Sequence, residues 1–348
     1  AEKARQATLD AAKIADLEVI ELINEPTAAV LHYASLPGVE VGGRVMIFDL
    51  GGGTFDVTFA EVKNKKVDVM TSRGDKYLGG RDFDKEITKL MKKKYFDVHN
   101  VEIDIENNKE YIHKAEEVKK ILSVKDKANI EINGPKGPQK IEITQEEFEE
   151  SIQTYIEKIK MLIEEAMEAS GMNPSRINQT LLVGGSTRMP IITKVLTQMM
   201  GKPPVKGVNV DEAVVCGAAI YAGLKTEKET LSDQQQEALK EVNLTDVCNF
   251  YMGTLAYVTD SHTGRRVVAN TIIIERDTKL PVSVTKRYTT ISEGQEELEC
   301  NVTQSEGPED NKEFVNIIHE EMLKLPKGRP ANQPIDITYS YDESGKMH

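Results

Sequence analysis

Residues 45–61 read VMIFDLGGGTFDVTFAE, and this stretch guides the interpretation of the whole chain. An apolar run, three adjacent glycines and a second run with alternating apolar residues predict a strand, a tight turn and a returning strand. Three glycines in a row cost backbone entropy unless the chain needs positive φ or a ligand must approach the backbone. The N–H groups of such a turn can form an anion-binding nest. The alternative is an ordinary glycine-rich hairpin.

Two acids, Asp49 and Asp56, flank the three glycines. Carboxylates beside phosphate oxygens repel them unless a cation lies between, so the pair predicts Mg²⁺ held through water. The hairpin interpretation instead leaves both acids solvated. Both interpretations stay open at this point.

The composition is that of a soluble globular protein, with 348 residues, 39% of them apolar and 29% charged. The length predicts two or three domains, and a net charge of −13 argues against nucleic acid as a partner. No apolar run approaches the roughly 20 residues that span a bilayer, and the charged start AEKARQATLDAAKIA argues against a secretory signal. Cys216, Cys248 and Cys300 lie far apart without metal-site spacing, and their odd number argues against a disulfide framework. We therefore expect a reduced, cytoplasmic compartment and no membrane contact.

A second glycine motif, LLVGGSTRMP, occupies residues 181–190. A short apolar strand is predicted to meet Gly184 and Gly185, and Ser186 or Thr187 is predicted to cap a helix with Pro190 in its first turn. A helix N-terminus behind a glycine pair predicts a second anion or nucleotide site. The motif is neither a Walker loop nor GxGxxG. An ordinary strand-to-helix turn is an equal alternative.

Three further places carry candidate residues. Glu25 stands before Pro26, at a predicted strand-to-helix junction after the strand-like run 17–22, and is either a site residue or a first-turn acid that favours the helix dipole. Asp211 is predicted to cap a helix of small residues. One side of the predicted helix 109–122 could hold a polar ligand, although local reasoning favours a solvated face with ion pairs. The residues on that side are Glu116, Lys119, Lys120 and Ser123.

Other patterns outline the remaining architecture. Asp82 is predicted to cap a helix that runs into Lys94, and Thr144 with Glu147 forms a capping box for a helix that reaches about Ala169. Residues 128–132 and 139–143 are predicted to form a strand pair. Beyond Asp246, repeated short strands with polar turns are typical of an all-β sandwich, so a boundary is predicted near residue 235. The predicted strands are 271–274, 282–291, 296–303, 314–319 and 335–341.

Taken together, the motifs DLGGGTFDV, INEPTAA, YLGGRDFD, VGGSTRMP and DEAVVCGAA resemble the ATPase lobe of the heat-shock-seventy, DnaK-type chaperones. The segment LPKGRPANQPIDITYSYDESGKM resembles that family's substrate-binding region. The resemblance implies an α/β actin-like ATPase lobe, ribonuclease H-like, followed by an all-β substrate-binding sandwich. It implies a remnant of ATPase lobe I in residues 1–40, lobe II with the nucleotide site in 41–225, a linker in 226–245 and an incomplete peptide-binding sandwich in 246–348.

The resemblance also implies roles for individual residues, with ATP or ADP and Mg²⁺ as cofactors. Asp49 and Asp56 would order Mg²⁺ and the attacking water, and Glu25 would couple the γ-phosphate to lobe closure. The second phosphate loop would be formed by Gly51, Gly52, Gly53 and Thr54. Adenosine would be bound by two sets of residues: Glu116, Lys119, Lys120 and Ser123, and Gly184, Gly185, Ser186 and Arg188. Asp211 would lie near the ribose. The peptide cleft would be lined by Leu255, Tyr257, Tyr288, Leu298 and Cys300.

The expected function is that of an ATP-dependent stress-response chaperone that binds unfolded polypeptide, with J-domain and nucleotide-exchange co-chaperones as partners. The family's first phosphate loop, of the form DLGTT, would lie before Ala1, and no second DLG-type loop occurs here. We therefore expect hydrolysis to be slow in a chain with one phosphate loop, and a module that binds nucleotide and peptide without turnover is the alternative. The altered linker EVNLTDVC and a chain that stops at His348 predict weak coupling between regions and fast peptide exchange. Exposed apolar surface predicts self-association.

Overall fold

The computed structural model describes residues 2–36, 42–63, 65–205, 209, 211–261, 263–343 and 345–347. The helices are α1 (Glu2–Ile14), α2 (Glu25–Ser35), α3 (Gly80–His99), α4 (Lys109–Leu122), α5 (Gln145–Ser151), α6 (Gln153–Ser170), α7 (Pro190–Met200), α8 (Ala213–Lys225) and α9 (Asp233–Leu239). The strands are β1 (Gly42–Leu50), β2 (Phe55–Lys63), β3 (Lys66–Asp75), β4 (Lys127–Gly134), β5 (Gly137–Thr144), β6 (Gln179–Val183), β7 (Asn243–Thr245), β8 (Tyr251–Thr259), β9 (Arg266–Ile274), β10 (Val282–Thr289), β11 (Glu297–Ser305), β12 (Asn316–Lys324) and β13 (Pro334–Tyr341).

A mixed five-stranded sheet, in the order β6-β1-β2-β3-β7, organises the first two thirds of the chain. The predicted hairpin is confirmed, because β1 and β2 pair antiparallel with Asp49 opposite Asp56. The neighbours β6 and β1 are parallel, as are β3 and β7. We call residues 25–225, whose helices cover this sheet, the α/β region.

Both faces of the sheet are buried, because alternate residues of β1 enter different cores. Met46 and Phe48 pack into a core built largely with α3, α4, α6 and α7, whereas Val45 and Ile47 pack with α2 and α8. The helices α2 and α8 meet backbone to backbone, since a Cβ added to Gly217 would lie 1.8 Å from the Ala28 carbonyl oxygen. The nucleotide-site candidates therefore sit on a sheet that is held from both sides.

Residues 246–347, which we call the β region, form two antiparallel sheets. One has the order β12-β11-β8-β9 and the other pairs β10 with β13. The sheets share a small core that includes Met252, Ile273 and Tyr339. Tyr339 donates its hydroxyl proton to the carbonyl oxygens of Gly253 and Asn301, at 2.9 and 3.1 Å.

Residues 226–245, predicted as a linker, contain α9 and end in β7, which adds to β3 as a parallel edge strand. Beside it, Arg73 of β3 forms a two-pronged ion pair with Asp277 of the β region, with oxygen–nitrogen distances of 3.1 and 2.8 Å. Arg73 is only 7% exposed and also pairs with Glu165 at 2.9 Å. The two regions are thus joined by a buried charge network. The division into domains stays a prediction, and its boundary at residues 40 and 41 lies outside the described residues.

Several predicted local features were wrong. Residues 17–22 form no strand, because the run finds no ladder partner in the described chain, and Leu17 and Ile20 remain exposed. Gly79 rather than Asp82 is the N-cap of α3, and the Asp82 carboxylate accepts the Gly79 N–H at 3.1 Å as a capping-box acid. The helix after Thr144 has its predicted capping box but is interrupted at residue 152.

Two more caps differ from prediction. A 3-10 turn, Gly185–Arg188, intervenes before α7, so that Met189 is the N-cap instead of Ser186 or Thr187. Glu212, not Asp211, precedes α8. The strand β8 was not predicted, because Gly253 interrupts its apolar pattern.

Candidate functional site

The three glycines of the β1–β2 turn leave open space above the backbone. None of Gly51, Gly52 or Gly53 has positive φ. A Cβ added to Gly52 or Gly53 would meet nothing within 4 Å, and one on Gly51 would make only ordinary contacts. Neither backbone strain nor protein packing therefore accounts for the glycines. What remains is the need of a ligand to approach a bare backbone.

The second glycine motif lies against the first. Because β1 and β6 are parallel neighbours, their carboxyl ends meet at one edge of the sheet. Ser186 Oγ donates to the Gly51 carbonyl oxygen at 2.9 Å. Gly184 has a φ of +86°, and a Cβ there would lie 2.4 Å from the Leu50 carbonyl oxygen. The structure thus brings the two turns into one site.

Lys119 of α4 reaches the same place from the other side. It is buried, forms an ion pair with Asp84 at 2.8 Å and donates to the Gly80 carbonyl oxygen at 2.9 Å. The Gly80 N–H in turn donates to the Gly51 carbonyl oxygen at 3.0 Å. A Cβ added to Gly80 would lie 2.6 Å from Ser186 Oγ and 2.9 Å from Lys119 Nζ, so this corner is closely packed.

The other candidates on α4 do not join Lys119 in the interior. Glu116 and Lys120 form an ion pair at 2.7 Å in which the lysine is largely exposed. The hydrogen bond from Lys120 lowers the pKa of Glu116. Ser123 is the C-cap of the helix, and its hydroxyl donates to the Lys119 carbonyl oxygen at 2.9 Å. One member of the predicted set is therefore buried beside the glycine turns, and two form the surface pair that local reasoning favoured.

Four acids lie around the glycine turn, and two of them are electrostatically strained. Burial raises the pKa of Asp56 to about 7, with further contributions from Asp49, Glu25 and Asp75. Burial and the charge of Glu25 raise the pKa of Asp49 to about 6. Asp49 and Asp56 are direct cross-strand partners, so their like charges oppose each other. Among the described residues, Asp75 is paired with Lys158, whereas no ion pair neutralises Asp49, Asp56 or Glu25.

This donor set fits Mg²⁺ better than a directly ligated transition metal. Among the described residues, no three His, Cys, Asp or Glu side chains converge to hold a metal ion. Mg²⁺ keeps several of its waters and needs one or two carboxylates. Asp49 and Asp56 would hold it, with the free space above the glycines left for phosphate oxygens.

Two predicted residues form the outer rim of this site. Arg188 and Asp211 are joined by an ion pair, and both side chains are more than half exposed. A Cβ added to Gly185 would meet only Asp211 Oδ1, at 3.9 Å. The rim pair therefore lies next to the second glycine turn and can contact a ligand without moving the core. Glu25, the first residue of α2, completes the set as part of the acid cluster.

A cleft of about 510 Å³ opens in the β region. Four of the five residues predicted to line a peptide cleft line this one: Leu255, Tyr257, Tyr288 and Leu298. The Tyr288 hydroxyl bonds the hydroxyl of Thr271 at 2.7 Å. Cys300 does not line the cleft, and it is unpaired, as are Cys216 and Cys248.

A second cavity, of about 350 Å³, lies between the two regions. Its walls include Thr54 and Asp56 from the glycine hairpin and Arg276 and Tyr341 from the β region. Arg276 donates to the Ser72 carbonyl oxygen at 2.9 Å across the boundary. The glycine hairpin therefore borders the contact between the regions.

Sequence reasoning missed Asp84 and Asp75. Asp84 pairs with Lys119, and Asp75 adds to the charge around Asp56 while its own carboxylate pairs with Lys158. The signal for Asp84 was its position inside the GGRDFD motif, four residues after Gly80. Nothing in the local pattern around Asp75 distinguishes it from a turn residue.

The comparisons with known proteins agree over the full length. A family profile described as "Hsp70 protein" matches residues 1–348. The chain is 35% identical over 354 aligned positions to "Chaperone protein dnaK" of Thalassiosira pseudonana, an alignment that covers 98% of this chain and 54% of that protein. It is 33% identical over 358 positions to "Chaperone protein DnaK" of Thermus thermophilus, covering 99% of this chain and 54% of that protein. The chain thus spans about half the length of the curated relatives it matches.

None of the helices in the described part of the chain is both long enough and apolar enough to cross a membrane.

Proposed function

Because the chain belongs to the Hsp70 family of chaperones, we propose that it binds ATP and ADP with Mg²⁺ in the α/β region and unfolded polypeptide in the β region. The α/β region then corresponds to an actin-like ATPase lobe and the β region to a substrate-binding sandwich. J-domain and nucleotide-exchange co-chaperones are the proposed partners, and the cytoplasm is the proposed compartment.

The observation that carries the nucleotide part is the empty space above Gly52 and Gly53, beside two acids of raised pKa. Backbone N–H groups there would bind phosphate oxygens, and Mg²⁺ held by Asp49 and Asp56 would supply charge neutralisation. Lys119, Ser186 and the Arg188–Asp211 rim would bind the nucleoside end. Asp49 and Asp56 would also orient water toward the phosphate, a role in which positioning supplies most of the catalysis.

The test is calorimetric titration of the chain with ADP and Mg²⁺. We expect saturable binding that weakens at least tenfold in Lys119→Met, because a buried cation is removed from the site. The matched control is Lys127→Met, which removes an exposed lysine that pairs with Glu142 outside the site. No binding at millimolar nucleotide, or equal loss in both variants, would contradict the proposal.

Steady-state phosphate release then separates an ATPase from a module that only binds. The chaperone proposal expects measurable turnover of ATP, assayed with and without unfolded polypeptide. Nucleotide binding without any turnover would support the second interpretation, in which the two clefts bind their ligands and no phosphoryl group is transferred.

A further inference from the structure

The cleft of the β region opens where two neighbouring strands part. Strands β8 and β11 pair only at residues 251–253 and 303–305. Beyond Gly253, β8 continues to pair with β9, and β11 continues to pair with β12. The ladder between β8 and β11 therefore stops in the middle of the sheet, and the cleft lies along the gap.

Side chains take over the hydrogen bonds at the point where this ladder stops. Asn301 Oδ1 accepts the Leu255 N–H at 2.7 Å, and the Thr254 hydroxyl donates to the Asn301 carbonyl oxygen at 2.8 Å. Tyr339 donates to that same carbonyl oxygen at 3.1 Å. The Leu255 N–H is a donor only, so it fixes which end of the Asn301 carboxamide is oxygen.

That orientation leaves the amide nitrogen of Asn301 able to donate a hydrogen bond to a ligand in the cleft. Asn301 is 3% exposed and lines the cleft, yet within the described chain its Nδ2 donates no hydrogen bond. This nitrogen is not among the buried side-chain atoms without a partner in the described residues, so it is accessible from the cleft, where water or a ligand can accept its hydrogen bond. A ligand in the cleft can supply the missing acceptor.

The surroundings limit the chemistry of that acceptor. Apolar side chains, among them Leu255, Leu298 and Ile337, line the same cleft. Two cations line the cleft: Arg287 is held by Asp336 at 2.7 and 2.8 Å, whereas Arg266 forms no ion pair within the described residues. Glu299 also lines the cleft. A neutral carbonyl oxygen can be buried beside these apolar side chains with a single hydrogen-bond donor.

We propose that Asn301 donates a hydrogen bond from Nδ2 to a main-chain carbonyl of an extended peptide in the cleft. Asn301 is thereby a positioning residue for the main chain of the ligand. Every peptide offers such a carbonyl, so this bond fixes the position of the ligand without selecting its side chains. The inference rests on the proposed peptide-binding function.

The test uses the full chain and a fluorescein-labelled peptide of alternating leucine and serine, with binding followed by anisotropy. Asn301→Asp keeps the shape and the acceptor for the Leu255 N–H but replaces the donor with a carboxylate oxygen. We expect at least tenfold weaker binding at pH 8. At acidic pH the new carboxyl is protonated and can donate, so the affinity of the variant should approach that of the wild type. Comparing the two proteins at the same pH cancels any change in affinity caused by Glu299 or the cleft tyrosines.

The matched control is Asn270→Asp in the neighbouring strand β9. Asn270 is also buried, but its Nδ2 donates to the Glu309 carbonyl oxygen at 2.6 Å, and it does not line the cleft. This variant should lower the thermal midpoint while leaving peptide affinity within twofold. Unchanged affinity in Asn301→Asp, or equal loss in Asn270→Asp, would overturn the inference. Failure of the wild type to bind peptide would instead reject the proposed function.

Discussion

The α/β region and the β region bury very different amounts of apolar side chain. The central sheet of the first is covered on both faces by large cores, whereas the sheets of the second share only six buried apolar residues in the described chain. The β region compensates with buried polar contacts, such as those of Asn301, Thr254 and Tyr339. The large cores of the α/β region hold the glycine turn in place before a ligand binds. The two sheets of the β region share a small core and can adapt to different polypeptide ligands.

The largest expected effect is on the core of the α/β region. Phe59 is fully buried in that core, and Phe59→Ala should lower the free energy of unfolding by about 3–5 kcal/mol. Val302 is only partly buried in the β-region core, and Val302→Ala should cost roughly 1 kcal/mol. Scanning calorimetry measures both. If the two substitutions cost the same, the contrast between the cores is wrong.

The next effect concerns the charge network that joins the regions. Asp277→Ala leaves the buried Arg73 with the exposed Glu165 as its remaining acid. The substitution should cost roughly 3 kcal/mol because the buried guanidinium loses its two-pronged partner. Lys279→Ala is the control, since its ion pair with Asp68 crosses the same boundary at the surface and should cost less than about 1 kcal/mol. Urea unfolding followed separately in each region measures the loss, and a larger effect of the control would refute the prediction.

The smallest effect is the dependence of stability on pH that arises from the acid cluster of the α/β region. The pKa of Asp56 is about 7 in the folded protein and 3.8 when unperturbed, so the folded state binds this proton more tightly. Stability therefore falls as pH rises from about 4 to 7. Asp56→Asn should make the metal-free protein about 1–2 kcal/mol more stable at pH 8 and leave it unchanged near pH 4.

Asp75 supplies a control of opposite sign for that experiment. Burial raises the pKa of Asp75, but hydrogen bonding from Lys158 and the Tyr77 N–H outweighs it, and the net shift is downward. Its stabilisation is present above the unperturbed pKa and is lost as pH falls. Asp75→Asn should therefore destabilise the protein at pH 8. Equal signs for the two substitutions in urea titrations would show that the acid cluster is not strained as described.

Local pattern was enough to predict the parts of the fold that depend on neighbours in the chain. The glycine hairpin, the strand pair β4–β5 and the capping box of Thr144 all follow from residues a few positions apart. The strand predicted at residues 17–22 shows the limit, because alternation cannot reveal whether a partner strand exists. Likewise β8 was missed, although its pairing with β9 is extensive.

The members of the candidate site were proposed from sequence where a motif carries them, and were missed where distant segments meet. Gly51–Thr54 and Gly184–Arg188 were each proposed from sequence, and their role stays a prediction. The hydrogen bond that joins them spans 135 positions. Asp84 and Lys119 come from different helices, so neither helix alone indicates their pairing. The free amide nitrogen of Asn301 depends on where the pairing of β8 with β11 stops. That point is set by strand register, which cannot be predicted from composition.

The contact between Gly217 and the Ala28 carbonyl has a further meaning for Glu25. The helix that starts at Glu25 rests on bare main chain at Gly217, with no side chain interposed. No change of side-chain rotamer can therefore alter the spacing of the two helices at this contact. Glu25 is thus positioned by a helix whose distance from α8 is set by contact between two backbones.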